Sequence, residues 1–490
     1  MAQEHFYITT TLPYVNAQAH IGHAMEFIRA DIIARFHAQK GEAVFFNTGT
    51  DEHGMKIHGK ALEENVDPQA YVDRFAKKFQ ELLPLLGITE TENITRAFIR
   101  TTDATHMAAA QEFWRRCAAH GSIYKKSYRV KYCVGCELEK TDSELENGVC
   151  PIHPNRALEL IDEENYFFSF SSFAQKLTDF YTANPDFVVP SFRFNEIKAF
   201  VERGLEDFSI SRLKSKMPWG VPVPDDADHV MYVWFDALVN YVSTIGWPSD
   251  EKKFSTWWPV TQYCGKDNLR QQSAMWQAML LAAGLPNSRQ IVINGFVTGE
   301  GGVKMSKSLG NTADPVALIQ EYGTDMFRYY VARELSPFED TPFTEERFRD
   351  AYNANLANGL GNLVSRVMKM ATTNGVVFEE PLCDAFYQTT EMKEITAVYS
   401  AGFAAFDIKQ AADAVWELIS SSDRLIQDRA PFKLIKTDPV QAKAVMAGLL
   451  VRLSCIATLL APIMPETAFE IQRLVSEGSM PQAPLFLRKA

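Results

Sequence analysis

A short alternating run at Phe6, Ile8 and Thr10 predicts a strand, and Pro13 stops it. Met25, Ile28, Ile32 and Phe36 then recur at steps of three and four, the spacing of one apolar helical stripe. Past Gly41 the run EAVFFNTG predicts the next strand. Strand, loop, helix and strand make one right-handed crossover of a parallel sheet, so His20-Ile21-Gly22-His23 falls at the carboxyl end of a strand and the amino end of a helix. Such ends attract anions. Residues 68–111 read as mixed and helical, with Phe75, Phe79 and Leu82 at helical steps. From about Cys117 to Asp225 the pattern changes character and predicts an insertion. The sheet resumes in MYVWFDALVNYV after Val230 and continues through QYCGKD and IVINGFV. From about Tyr352 the chain is helical, with Ala411, Val415, Leu418 and Ile419 in phase, then helices over Ala442–Leu460 and Pro465–Ser476, which predicts an antiparallel bundle.

Composition narrows this picture. A length of 490 residues suggests two to four domains, and 46% hydrophobic residues can fill their cores. A net charge of −12 excludes a protein that is basic throughout, so an RNA partner would be held by local basic patches. The opening MAQEHFYITT has no basic region leading into an apolar run, which predicts no secretory signal and a cytoplasmic protein. The stretch Ala444 to Met464 is long enough to cross a bilayer, but Arg452 interrupts it and Pro462 ends it, so it reads as a buried bundle helix with no membrane role. Seven cysteines in a chain of this size do not read as a disulfide framework.

Candidate chemistry sits at the strand ends. Gly49-Thr50-Asp51-Glu52-His53-Gly54 follows a strand directly, so its carboxylates fall at the same edge as His20 and His23; an acidic helix cap is the plainer alternative. Asp267, after the glycine turn of QYCGKD, is placed to hold ribose hydroxyls. Trp234 and Tyr241 offer aromatic walls for an apolar substrate, although core packing explains most of that run. In the insertion, Cys133-Val-Gly-Cys136 and Cys150-Pro-Ile-His153 stand thirteen residues apart. Two knuckles of two ligands each suit tetrahedral zinc, and four protein ligands leave no position for water, so the metal would be structural. A redox pair or unrelated thiols are the competing readings, and the second knuckle weighs against the first.

His20-Ile21-Gly22-His23 and the later Lys304-Met305-Ser306-Lys307-Ser308 together resemble the two signatures of class I aminoacyl-tRNA synthetases. The stretches ITTTLPYVNAQAHIGHA, FFNTGTDEHG, LEDFSISR, YVWFDALVNYV, CGKDN, VKMSKSLGN, NGLGNLVSR and DRAPFKL narrow the resemblance to the methionyl family. That implies a Rossmann-like α/β sheet in two halves, residues 1–116 and 226–320, split by a zinc-binding connective insertion at 117–225. A linking segment at 321–350 and an all-α anticodon-binding helical bundle at 351–490 would follow. It implies a ligase that activates L-methionine with ATP and passes it to the 3′ end of methionine tRNA, with one structural Zn²⁺ per chain and Mg²⁺ on the ATP. Position by position it makes Leu12 and Asp51 contacts of the methionine ammonium group, with Trp234, Tyr241 and Gln272 around the side chain. His20, Gly22, His23, Gly265, Asp267, Lys304 and Lys307 would meet ATP, and Asn362, Arg366 and Phe432 the anticodon.

The chain departs from the family pattern at four places. Gln272 and Met275 stand where a histidine and an aromatic are usual, and Asp423 and Phe432 where Asn and Trp are expected. Phe still stacks on an extruded base but lacks the indole donor. Alternatives are another class I synthetase, a non-catalytic tRNA-binding paralogue, or an adenylyltransferase for a small acid without RNA. No appended tRNA-binding module is evident, which makes a monomer the expectation.

Overall fold

A computed structural model describes residues 4–16, 18–135, 138–140, 144–303 and 313–489. The chain divides into two compact units, one of Met1–Ala19, Val44–Glu81 and Thr95–Ile293, the other of His20–Ala43, Leu82–Ile94 and Asn294–Ala490.

Six strands form the sheet of the first unit: β1 (His5–Thr9), β2 (Ala43–Thr50), β3 (Ile94–Arg100), β4 (Val188–Val189), β5 (Thr261–Gly265) and β6 (Gln290–Asn294). Their order is β3-β2-β1-β5-β6-β4. β1 and β5 pair in parallel through Ile8 with Thr261 and Thr9 with Gln262, and β6 pairs in parallel with β4. The chain therefore builds outward on one side from β1 and on the other from β5. Ligands of open α/β sheets sit outside the carboxyl ends of the strands at such a reversal. β1 is buried from Phe6 through Thr9 on both faces, as parallel strands are, so the alternation that revealed it marks no solvent face.

Two elements differ from the sequence-based expectation. The helical reading of residues 68–111 is interrupted by β3, whose ITRAFIR carries polar residues because it lies at the sheet edge. MYVWFDALVNYV is not a sheet strand. It leaves a short strand at His229–Met231 for two helices, α2 (Val233–Leu238) and Asn240–Ser243. A run buried on every side loses its period, and strand and helix then look alike.

The insertion is built on a long antiparallel pairing of Ile123–Cys133 with Glu159–Phe168, flanked by Leu138–Lys140 and Phe208–Ser209.

In the second unit, α1 (Ile21–Gln39) carries charges where its stripe predicts only apolar contact. Arg29 donates to the carbonyls of Leu335, Ser336 and Pro337, and Asp31 meets both Arg35 at 2.8 Å and the fully buried Arg328 at 2.7 Å. The bundle follows, with α3 (Gly361–Thr373), α4 (Ile408–Arg429) and α5 (Pro439–Leu460) among its helices. Helix α5 is long and apolar enough to cross a membrane, and 61% of its most apolar stretch is buried. That burial matches the bundle-helix reading.

Candidate functional site

Helix α1 begins with a reciprocal cap. His20, the N-cap, accepts the Gly22 N–H on Nδ1 at 3.1 Å, and His23 Nδ1 accepts the His20 N–H at 3.3 Å. The rings stack with centroids 3.8 Å apart. A β-carbon at Gly22 would lie 2.9 Å from His20 Cε1, so glycine lets the first imidazole fold back on the helix end. Burial, and then the neighbouring His20, push the His23 pKa well below the usual imidazole range. A neutral imidazole whose Nδ1 accepts carries its proton on Nε2. His23 is thus a neutral Nε2–H donor at a helix amino end, the kind of group that meets phosphate oxygens without a charge of its own. Lys304 and Lys307 lie outside the described residues.

In the first unit the acidic turn leaves β2 under restraint from every side. The Asp51 N–H donates to Pro13 O at 2.9 Å and the Asp51 carbonyl accepts from Val15 N at 3.2 Å, which sets the Leu12-Pro13-Tyr14 segment alongside Asp51. Glu52, fully buried, accepts two bonds from Arg100, at 2.7 and 3.0 Å, and one each from Thr50 and Thr102. His53 meets Asp236 Oδ2 at 2.5 Å, and His106, on the helix Ala104–Ala119, meets Asp236 Oδ1 at 2.8 Å and Ser243 at 3.0 Å. Burial alone would raise the Asp236 carboxyl, but the charge on His53 and hydrogen bonds from both histidines hold it down to about 2. A buried carboxylate is tolerated only when both oxygens are matched in this way.

Asp236 stands two residues beyond Trp234 in α2, and His53 two residues beyond Asp51. One carboxylate therefore ties the acidic turn to the aromatic wall. His53 belongs to the GTDEHG turn, but His106 carries no motif, and the two stand 183 and 130 positions from Asp236, so no spacing along the chain announces the three as a set.

The aromatic wall and Gln272 are brought together. Gln272 Nε2 donates to the Tyr241 hydroxyl at 2.7 Å, and both residues are buried. Trp234 is half-buried in the first turn of α2. Gln272 lies on a π-turn, Gln271–Met275, a widened turn that recurs at functional sites. Gly265 closes β5, and Asp267 stands exposed in the next turn, accepting from Asn268 Nδ2 at 3.3 Å. Arg212, the last residue of the LEDFSISR stretch, is buried, donates to Ser209 Oγ and Ser211 O, and lies 4.3 Å from the Tyr232 ring centre.

Cys133, Cys150 and His153 converge, with their ligand atoms all within 4.8 Å of one another. A β-carbon at Gly135 would come 2.5 Å from His153 Cγ, so the knuckle closes only because that residue is glycine. Two thiols and an imidazole at this spacing fit a metal ion. Cys136 lies outside the described residues.

On the bundle, Asn362 and Arg366 sit one turn apart on α3. Asn362 is exposed, and Arg366 pairs with Asp423 of α4 at 3.0 Å. Burial raises the Asp423 pKa against the pull of Arg366. Helix α4 ends at Ala430 in the left-handed conformation, and Phe432 follows on the short helix Pro431–Leu434, 49% exposed.

A family model described as tRNA synthetases class I (M) matches residues 6–158 and 139–368, and one described as the anticodon binding domain of methionyl tRNA ligase matches residues 385–482. The methionine-tRNA ligase of Thermosynechococcus vestitus is 42% identical over 474 residues, covering 94% of this chain and 88% of that one. That of Thermotoga maritima is 38% identical, covering 97% and 76%. Among solved structures, methionyl-tRNA synthetase of Mycobacterium tuberculosis in complex with methionyl-adenylate superposes with a TM-score of 0.89 at 34% identity, over 100% of both chains. The fold, the order of the two signatures and these matches agree: this chain belongs to the methionyl family of class I tRNA synthetases.

Proposed function

We propose that this chain joins the carboxylate of L-methionine to the α-phosphate of ATP, releasing pyrophosphate, and passes the methionyl group to the 3′ end of methionine tRNA. The observation that carries this reading is the Asp51 turn, an acidic group at the carboxyl edge of the sheet whose neighbours are fixed by Pro13, Arg100 and Asp236. Such a carboxylate suits an ammonium group, which Leu12 would also contact, and Trp234, Tyr241 and Gln272 would enclose the thioether. A thioether offers few hydrogen bonds, so selection rests on shape and is worth a few kcal/mol per group.

No protein nucleophile is needed. The chemistry asks for the carboxylate held in line with phosphorus and for donors aimed at the phosphate oxygens. His20, Gly22 and His23 at the start of α1, with Lys304 and Lys307, are the candidate donors, and Gly265 and Asp267 the nucleoside contacts. Lys307→Ala should slow pyrophosphate exchange at saturating methionine by about one to three powers of ten, the range for one aimed donor, and an unchanged rate would remove Lys307 from the step. Mg²⁺ carried on the ATP would offset phosphate charge.

Cys133, Cys136, Cys150 and His153 would hold one structural Zn²⁺, which supplies a covalent cross-link to the insertion. Metal analysis should find about one zinc per chain, lost in Cys150→Ser. Asn362, Arg366 and Phe432 would read the anticodon loop, whose splayed bases suit stacking and edge contacts. The chain works as a cytoplasmic monomer in this reading. Its segments divide the labour as 1–116 and 226–320 for activation, 117–225 for the insertion, 321–350 as a link and 351–490 for RNA. Charging of methionine tRNA with labelled methionine tests it; adenylate formation without transfer would leave an adenylyltransferase.

A further inference from the structure

The segment from Val233 to Ser243, which carries Trp234 and Tyr241, is fastened at two places to the stretch that delivers Asp51. The first is the Asp236–His53 bond at the end of the acidic turn. The second lies deeper. Asn47, on β2, donates from Nδ2 to Asn240 Oδ1 at 3.1 Å, and its own Oδ1 accepts from the Thr244 hydroxyl at 3.1 Å. Tyr7, on β1, donates its hydroxyl to the carbonyl of Tyr241 at 2.9 Å. Asn47, Asn240 and Tyr7 are each no more than 2% exposed.

An isolated pair of amides holds equally well in either sense, because each can turn over. Here one backbone group decides. Asn240 Nδ2 meets the Ala237 carbonyl, which can only accept, at 2.7 Å. Asn240 must therefore show its oxygen to Asn47, so Asn47 shows its nitrogen to Asn240 and its oxygen to Thr244, and the Thr244 hydroxyl donates. Burial raises the Tyr7 pKa well above the usual phenol value, so Tyr7 stays a neutral donor. Each of these bonds has one sense and a narrow range of angle, and a wall held by them does not slide as one held by apolar contact can.

Asn47 and Asp51 stand four residues apart along one extended stretch, so their side chains share a face. Asp236 and Asn240 are also four apart, with helical angles at Val239 between them, and share a face of their segment. The two fastenings thus bracket Asp51 along the chain, at 47 and 53, while Trp234 and Tyr241 lie just outside them on the facing segment. We propose that Asn47, Thr244 and Tyr7 are positioning residues that set the spacing between the ammonium subsite at Asp51 and the wall at Tyr241, and with it the length of side chain the pocket admits. The inference rests on the methionine-activating reading above. It assigns selection against ethionine, which carries one more methylene on sulfur, to groups behind the pocket lining.

The test is pyrophosphate exchange with methionine and with ethionine as separate substrates. A fixed apolar pocket discriminates one methylene by about ten- to two-hundredfold. In Thr244→Val, which keeps the shape and removes the donor, the ratio of kcat/KM for methionine to that for ethionine should fall by about fivefold, the weight of one neutral hydrogen bond. Thr244→Ser keeps the hydroxyl and should retain the ratio. Tyr7→Phe should lower it by a similar factor, and Asn47→Ala, which removes two bonds, by more, with the KM for ATP unchanged in each. A Thr244→Val or Tyr7→Phe enzyme that folds normally and loses both substrates equally, or neither, would overturn the spacing role and leave these residues purely structural. Absence of methionine-dependent exchange in the unaltered protein would instead overturn the activity reading, and the spacing role with it.

Discussion

Around Asp51 the neighbouring side chains are held by several partners each, deep in the first unit, whereas Asn362 and Phe432 on the bundle stand exposed and Arg366 is tied to a single half-buried carboxylate. The contrast follows from the ligands proposed for the two regions. A small amino acid brings few groups with which to order a site, so the protein must order it beforehand, through Glu52, His53 and Asp236. An RNA loop brings bases that stack on whatever aromatic surface is offered, and an exposed Phe432 on the short helix after α4 meets that need.

The largest test of this contrast is Asp236→Ala. It leaves two buried imidazoles without their acceptor and should cost about 3–5 kcal/mol, read as a lower unfolding midpoint by calorimetry, with a raised KM for methionine. The same carboxylate sets an acid limit. Its folded pKa of about 2 lies below the ordinary 3.8, so its contribution is fully present above roughly pH 4 and is lost as pH falls through about 2. A midpoint that declines well above pH 4 would assign the acid sensitivity to other groups.

Phe432→Ala comes next. Loss of one stacked base should raise the apparent KM for tRNA by about five- to a hundredfold and leave pyrophosphate exchange unchanged, and equal damage to both steps would contradict the division between the two regions. The smallest effect belongs to Asp423→Ala. Its pair with Arg366 is partly exposed, so stability should change by less than about 1 kcal/mol and the KM for tRNA by no more than a few fold. A large loss of stability there would mean the bundle is locked in the same manner as the pocket.

The same contrast explains what the sequence made legible. β1, α1 and the bundle helices follow from period alone, and the Cys133 and Cys150 knuckles from ligand spacing, because those signals are local. β3 hid behind edge-strand polarity, and WFDALVNY behind burial on every side. The Asp236 clamp hides for a different reason. It joins an aspartate, a serine and two histidines from different elements, and no spacing along the chain encodes that meeting. Gln272 stands where the family usually has a histidine, and the structure gives it two buried partners, Gln262 and Tyr241.

Pyrophosphate exchange measured with each of the twenty amino acids in turn, without tRNA, tests the central claim most directly. The account predicts exchange with methionine far above every other amino acid. Exchange with none of them, or equally with several aliphatic ones, would contradict it.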